Sequence, residues 1–233
     1  MIRIVGIDVS TWRCGVALLE LSHAGGVCVP MAEAGLLVRD SHAAHLLVLL
    51  DRILAEASWP SSTVDAYSAT RGPGAFTGIR VGLGTIRGLG LASGRPCIGV
   101  GTLHAMAEAF GPSDRDRIPL VDAGRGDVYG GRYDGLSSPP LERVAPWVGP
   151  PERALREAPG DFVVFGSGAH VLAGCLRNAG LGGTLGASPT GVAAAAACIA
   201  ASWLRSGVAD GKDLAPLYVR PADAEAGVRE ATP

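Results

Sequence analysis

The sequence predicts an α/β protein of two lobes built alike, each a mixed sheet flanked by helices. Three observations carry that expectation. Strand-like and helix-like stretches alternate along the chain in the manner of layered α/β folds. Each half opens on a strand that ends in aspartate, "IRIVGID" at 2–8 and "RIPLVDA" at 117–123. The chain has 233 residues, 48% of them apolar, which suffices for a sizeable core in one large domain or two small lobes.

The elements follow in order. β-Branched residues dominate 2–8, and "CGVALLEL" (14–21) and 27–38 read as further strands, separated by the hairpin signal "SHAGG". In "SHAAHLLVLLDRILAEA", Leu46, Leu49, Leu50, Ile53, Leu54 and Ala57 recur at helical spacing, with Asp40 or Ser41 as N-cap. "VDAYSAT" (64–70) is a short buried strand. A glycine-rich helix starts at Phe76 or Thr77, "PCIGVG" (96–101) is a strand, and "TLHAMAEAF" (102–110) is a helix capped by Thr102. In the second half, 117–123 and "DVYGGRYD" (127–134) form a strand pair. "DFVVFGSGAH" (161–170) turns through Gly-Ser-Gly into the helix "AHVLAGCLRNAG". "TGVAAAAACIAASWLR" (190–205) is an alanine-rich helix capped by Thr190, with Gly207 just past its end. The tail from Pro221 has the composition of a disordered end.

Composition excludes several function classes. Charged residues are 18% and the net charge is −2, so the chain is not expected to hold a polynucleotide tightly on its own. Lys212 is the only lysine among 20 basic residues. A Walker A loop is therefore absent, and Schiff-base chemistry would fall to Lys212 in the turn "ADGKDL". Five cysteines, odd in number and never spaced C-x-x-C, predict reduced thiols in the cytoplasm rather than a disulfide framework or zinc site. "MIRIVGIDVS" runs straight into a strand pattern instead of a leader. Arg80, Arg87 and Arg95 interrupt the apolar run 78–103, which excludes a membrane span there.

Candidate chemistry centres on the two acidic turns. Asp8, Ser10 and Thr11 can present hydroxyls and N–H groups to a phosphate or a metal-bound water, and an ordinary Asx turn is the competing reading. Asp122 and Gly124 in "DAGRGD" repeat the turn, and Gly166 and Gly168 in "GSGAH" form a glycine-rich strand-to-helix turn. This order resembles the actin, Hsp70 and sugar-kinase superfamily, whose acidic turns face each other across ATP and its metal while the later glycine turn packs on adenosine. His42 and His45, three apart, lack a third ligand in their segment. No G-x-S-x-G elbow exists.

"TRGPGAFTGIRVGLGTIRGLGL" (70–91) admits two readings. Glycines ahead of a helix, with Arg80 one turn in, suit an anion. Yet glycine continues at 78, 82, 84 and 88, each costing the helix about 1 kcal/mol relative to alanine. Gly78 with Gly82, and Gly84 with Gly88, lie one above the other. Such stripes let another backbone approach closely, which favours a helix–helix seam.

The same stretch resembles the signature of the bacterial TsaB (YeaZ) family, proteins needed to make threonylcarbamoyladenosine on tRNA. "IVGIDVST", "SHAAHLL", "VDAGRGDVYGGRY" and "PLYVR" (216–220) extend the likeness over about 220 residues. The resemblance implies a two-lobed actin-like (ribonuclease H-like) fold and a non-catalytic subunit that dimerises with a TsaD-type catalytic partner. It implies a TsaE-type ATPase as a third component, a homodimer when the chain is alone, and contact with tRNA only through the complex. The complex transfers a threonylcarbamoyl group to the adenosine beside the anticodon of ANN-decoding tRNAs. The positions matching the family's partner interface are His42, Leu46 and Leu47 on the first helix, with Phe76, Thr77, Gly78, Arg80 and Gly82 on the second. The family's metal-binding histidines belong to TsaD and have no match here.

Three departures stand out. Ala75 replaces the usual serine, removing a hydroxyl cap. Gly124 replaces the usual arginine, bringing "DAG" closer to an intact phosphate turn. Ser10 stands where active members of the superfamily keep glycine, and crowds a phosphate. Any nucleotide would be ATP or ADP with magnesium, weakly held. The implied division is 1–103 plus 190–220 as the N-terminal lobe and dimerisation face, 104–189 as a smaller lobe, and 221–233 as a flexible tail. The enzyme-class rival is an ATP-dependent phosphotransferase or ATPase using Asp8 and Asp122, with a metallopeptidase third.

Overall fold

In the computed structural model the described residues are 1–22, 28, 30–38, 41–157, 160–178, 185–207 and 214–220. The "SHAGG" hairpin, the Asp40 cap, the Lys212 turn and the 221–233 tail therefore fall mostly or wholly outside them. The first half contributes β1 (Ile2–Asp8), β2 (Arg13–Leu21), β3 (Pro30–Leu37), α1 (His42–Glu56), β4 (Ala66–Thr70), α2 (Phe76–Ser93), β5 (Cys97–Val100) and α3 (Thr102–Phe110). The second contributes β6 (Asp116–Gly124), β7 (Asp127–Tyr133), β8 (Glu142–Gly149), a one-turn α4 (Arg153–Arg156), β9 (Phe162–Phe165), α5 (Ala169–Asn178) and α6 (Val192–Ser206).

The first sheet has the order β3-β2-β1-β4-β5. β1 pairs antiparallel with β2 and parallel with β4. Ile4, Val5 and Ile7 are fully buried, because helices cover both faces of this central strand. On one face Val5, Ile7 and Val9 meet Leu46, Leu49, Leu50 and Ile53 of α1 and Ile79, Leu83 and Ile86 of α2. On the other, Ile4, Leu19, Ala66 and Ile98 meet the alanine run of α6. That run is small for a reason: a Cβ at Gly6 would collide with the carbonyl oxygen of Ala193, so α6 rides almost on the strand's backbone.

The second sheet has the order β8-β7-β6-β9, with β6 and β9 parallel. Its core joins Ile118, Leu120, Val128, Trp147 and Phe162 to Leu172 and Leu176 of α5. β8, an edge strand, has no counterpart in the sequence reading; Pro146 sits within it, as edges tolerate.

Two cap assignments change. α3 is preceded by Gly101 as N-cap, and the N–H of Thr102 is satisfied by the carbonyl of Gly72 at 2.7 Å. α6 takes Gly191, not Thr190, as N-cap, while Gly207 closes it in a left-handed conformation as expected. The expectation that all five cysteines are reduced is corrected as well. Cys28, ahead of β3, is bonded to Cys198 of α6, their Cα atoms 5.8 Å apart. Their separation of 170 residues hides the pairing from any local pattern.

α3 bridges the two sheets. His104 stacks on Tyr133 of β7 at 5.3 Å and tilts against Trp203 of α6 at 5.9 Å. Burial pushes its pKa down to about 4 from the ordinary 6.5, despite a hydrogen bond with the backbone of Pro140. The unfolded imidazole takes its proton near pH 6.5 and the folded one only near pH 4. This contribution is therefore intact above pH 6.5 and is lost as the pH falls toward 4, a loss of about 3 kcal/mol. Urea titrations at neutral and acid pH should show that His104→Phe loses less stability on acidification than the parent chain.

Candidate functional site

The loop before α2 bends through Gly72 (φ +110°) and Gly74 (φ +155°), conformations that side chains disfavour. It brings the N–H of Ala75 to within 2.7 Å of the Ser10 carbonyl. Ala75 is the N-cap of α2 and offers no side-chain cap. From there the helix descends onto the end of β1. A Cβ at Gly78 would strike the Val9 carbonyl oxygen, and one at Gly82 would lie 2.7 Å from Val9 Cγ2. What approaches Gly78 and Gly82 is therefore this chain's own β1 turn. Both are buried, which corrects their assignment to a seam with another molecule.

Gly84 and Gly88 behave differently. A Cβ at either would meet nothing within 4 Å, and both are exposed. They share an outward stripe with Thr77 and with Leu91, which is 86% exposed. Phe76 lies beside this stripe, stacked on Tyr218 at 5.3 Å, with the Arg80 guanidinium 3.9 Å from its ring centroid. Arg80 Nε donates to the Tyr218 hydroxyl at 2.8 Å. Tyr218 was absent from the sequence-derived site; only its place in "PLYVR" pointed to it.

α1 lies beside α2 on the same side of the sheet. Leu46 is fully buried in the core, so it cannot meet a partner; the reason is its place on the stripe shared with Leu49, Leu50 and Ile53. Leu47 and Val48 are 53% and 69% exposed and carry the outward apolar surface. His42 is half-buried over Gly78, and its Nδ1 finds no hydrogen-bond partner among the described residues.

The first acidic turn is closed on itself. Asp8 Oδ1 accepts hydrogen bonds from Ser10 N (3.1 Å), Ser10 Oγ (2.6 Å) and Thr70 Oγ1 (2.7 Å). Asp8, Ser10 and Thr70 are all buried. Thr11 Oγ1 accepts from the backbone N–H of Arg13. The second turn is open: Asp122 is exposed and its Oδ1 accepts from Gly124 N at 2.8 Å, with Gly124 at φ +72°. Gly166 and Gly168 are used up in packing. A Cβ at Gly166 would hit the Leu120 carbonyl oxygen, and one at Gly168 would lie 2.8 Å from Val128 Cγ1.

A cleft of about 420 Å³ separates the "RGPG" loop from the β6–β7 hairpin, lined by Gly74, Phe76, Gly124, Arg125, Tyr218 and Arg220 among others. Residues 214–220 run along it as a strap. Leu217 N donates to the Arg71 carbonyl at 2.7 Å. At the other end Arg220 donates to the Ala123 carbonyl and pairs with Asp127. The strap thus joins the two sheets across the space between the two acidic turns. Among the described residues no group of three or more His, Cys, Asp or Glu is placed to hold a metal ion, and no helix is long and apolar enough to cross a membrane.

A family model described as TsaD, tRNA N6-adenosine threonylcarbamoyltransferase, matches residues 24–159. The chain is 35% identical over 133 residues to the tRNA threonylcarbamoyladenosine biosynthesis protein TsaB of Escherichia coli K12, covering 56% of this chain and 54% of that one. That match spans about half the relative's length. An uncharacterized protein of Mycobacterium tuberculosis is 30% identical over 187 residues, 79% of this chain and 78% of its own. Among solved structures, YeaZ from Pseudomonas aeruginosa superposes with a TM-score of 0.71 at 27% identity, covering 94% of this chain and all of that one.

Proposed function

Because the chain belongs to the TsaB (YeaZ) family, with its actin-like (ribonuclease H-like) fold, we propose that it serves threonylcarbamoyladenosine biosynthesis on tRNA. In this reading it is a subunit without catalytic groups of its own, working in the cytoplasm. It pairs through α1 and α2 with a TsaD-type catalytic partner, alongside a TsaE-type ATPase, and pairs with itself when alone. The tRNA is met only through that complex. Residues 1–103 with 190–220 form the pairing lobe and 104–189 the second.

The observation that carries the reading is the outward stripe of α2. Thr77, Gly84, Gly88 and Leu91 leave a shallow exposed track with Phe76 and Arg80 at one end, and the neighbouring helix α1 adds exposed Leu47 and Val48. A partner helix could approach such a track closely at Gly84 and Gly88. The first acidic turn supports a structural more than a nucleotide-binding use, since Asp8 Oδ1 already accepts three hydrogen bonds.

Gly84→Leu and Gly88→Leu test this, because the space outside them is empty and the fold should survive. Sedimentation with a TsaD-type partner should show association weakened about tenfold or more, the effect of ~1.4 kcal/mol, while the melting temperature is no lower than the parent's. Unaltered association would sink the interface. Separately, leaving the chain out of a reconstituted transfer to tRNA should reduce product by a similar factor.

A further inference from the structure

A second cavity, of about 610 Å³, opens on the opposite side of the first sheet from α1 and α2. Its wall includes the Cys28–Cys198 disulfide together with Leu21, Glu108, Ser138 and Arg205. Both cysteines are half-buried rather than sealed in the core. Exposed disulfides are the ones open to exchange, and this one forms part of the surface of a void large enough for a small peptide thiol. Glu108 adds a polar feature there: Oε1 accepts from Ser138 Oγ at 2.7 Å, while Oε2 is buried with no partner among the described residues.

We propose that Cys28–Cys198 is a reversible thiol–disulfide exchange site, reached through this cavity by a low-molecular-weight thiol of the amino-acid or peptide class. The thiolate attacks one cysteine sulfur, forming a mixed disulfide. The S–S electron pair leaves on the other cysteine, which takes up a proton. A second thiol attacks the mixed disulfide and releases the remaining cysteine as a thiol. Two small thiols become one small-molecule disulfide, and the protein gains two Cys–SH groups. The exchange frees the approach to β3 from α6 and removes a cross-link between residues 170 apart in sequence. The buried thiols take no part: Cys14 is enclosed, and burial, with the Asp8 charge, raises it to about 11.

The test uses the full chain, first incubated with oxidised glutathione, then kept native while reduced glutathione is added at millimolar concentration. Alkylation followed by peptide mapping reads the two cysteines, and thermal melting reads the fold. Cys28 and Cys198 should resist alkylation before the reduced thiol and accept it afterwards, with the melting temperature falling by roughly 5–15 °C. Cys28→Ser and Cys198→Ser, side chains that differ little in size from the originals, should each melt at the reduced value in both conditions. The proposal is overturned if both thiols are alkylated after the oxidising step. It is equally overturned if reduction requires denaturant, or if the serine variants keep a redox-dependent melting temperature.

Discussion

Replacing Gly78 with alanine is expected to destabilise the protein by more than about 3 kcal/mol, while the same change at Gly84 raises its stability by about 1 kcal/mol. Gly78 faces the Val9 carbonyl oxygen, a backbone atom that cannot swing aside, and a single methyl must displace either β1 or the start of α2. At Gly84 the added methyl enters open space, and the helix gains the ordinary preference of alanine over glycine. Urea denaturation of the two variants, six residues apart on one helix, measures the difference directly. Equal stabilities would mean that α2 does not sit on the β1 turn as described.

Arg117→Met should cost about 3–5 kcal/mol, the range for removing one partner from a buried charged network. Only 1% of Arg117 is exposed. Its Nε donates to the carbonyl of Asp134 at 2.7 Å, Nη1 to those of Ala107 and Gly111 at 3.1 and 2.9 Å, and Nη2 to that of Ser137 at 2.8 Å. Methionine fills much of the volume but leaves those carbonyls without their donor. Arg117→Lys should recover only part of the loss, since one ammonium cannot reach what a planar fork reaches. Arg87→Met on exposed α2 surface serves as the control and should stay within about 0.5 kcal/mol. Guanidinium denaturation followed by tryptophan fluorescence would rank the three.

The central elements were legible because their burial is periodic. Leu46, Leu49, Leu50 and Ile53 mark the inner face of α1, and the uncharged run at 4–7 marks a strand covered on both sides. Edge elements were not. Of β8 only Trp147 is fully buried, so 142–149 carries no apolar alternation strong enough to separate it from loop. The glycine stretch shows how far spacing reaches: 78/82 and 84/88 are both four apart, and pair spacing alone does not say which faces the sheet. The neighbours did contain the signal, since Gly78 and Gly82 share their side of the helix with Ile79, Leu83 and Ile86. In the same way the motif at Leu46 and Leu47 marks a face without saying that only Leu47 reaches solvent. Contacts made across long stretches of chain, the Cys28–Cys198 bond and the strap ending at Arg220, depend on the folded arrangement and leave no local trace.

The place of α6 in the chain governs how the protein can be made. β1, β2, β4 and β5 are all synthesised by residue 100, yet the face they present to Ala193–Ala201 stays bare until α6 has followed. At the usual 5–20 residues per second, roughly 5–20 s separate the last strand of that sheet from the end of the helix that covers it. For that interval a nascent chain exposes Ile4, Leu19 and Ile98 beside the narrow track at Gly6, a surface that invites chaperones. A ribosome stalled before α6 would therefore hold a half-covered sheet rather than a finished lobe.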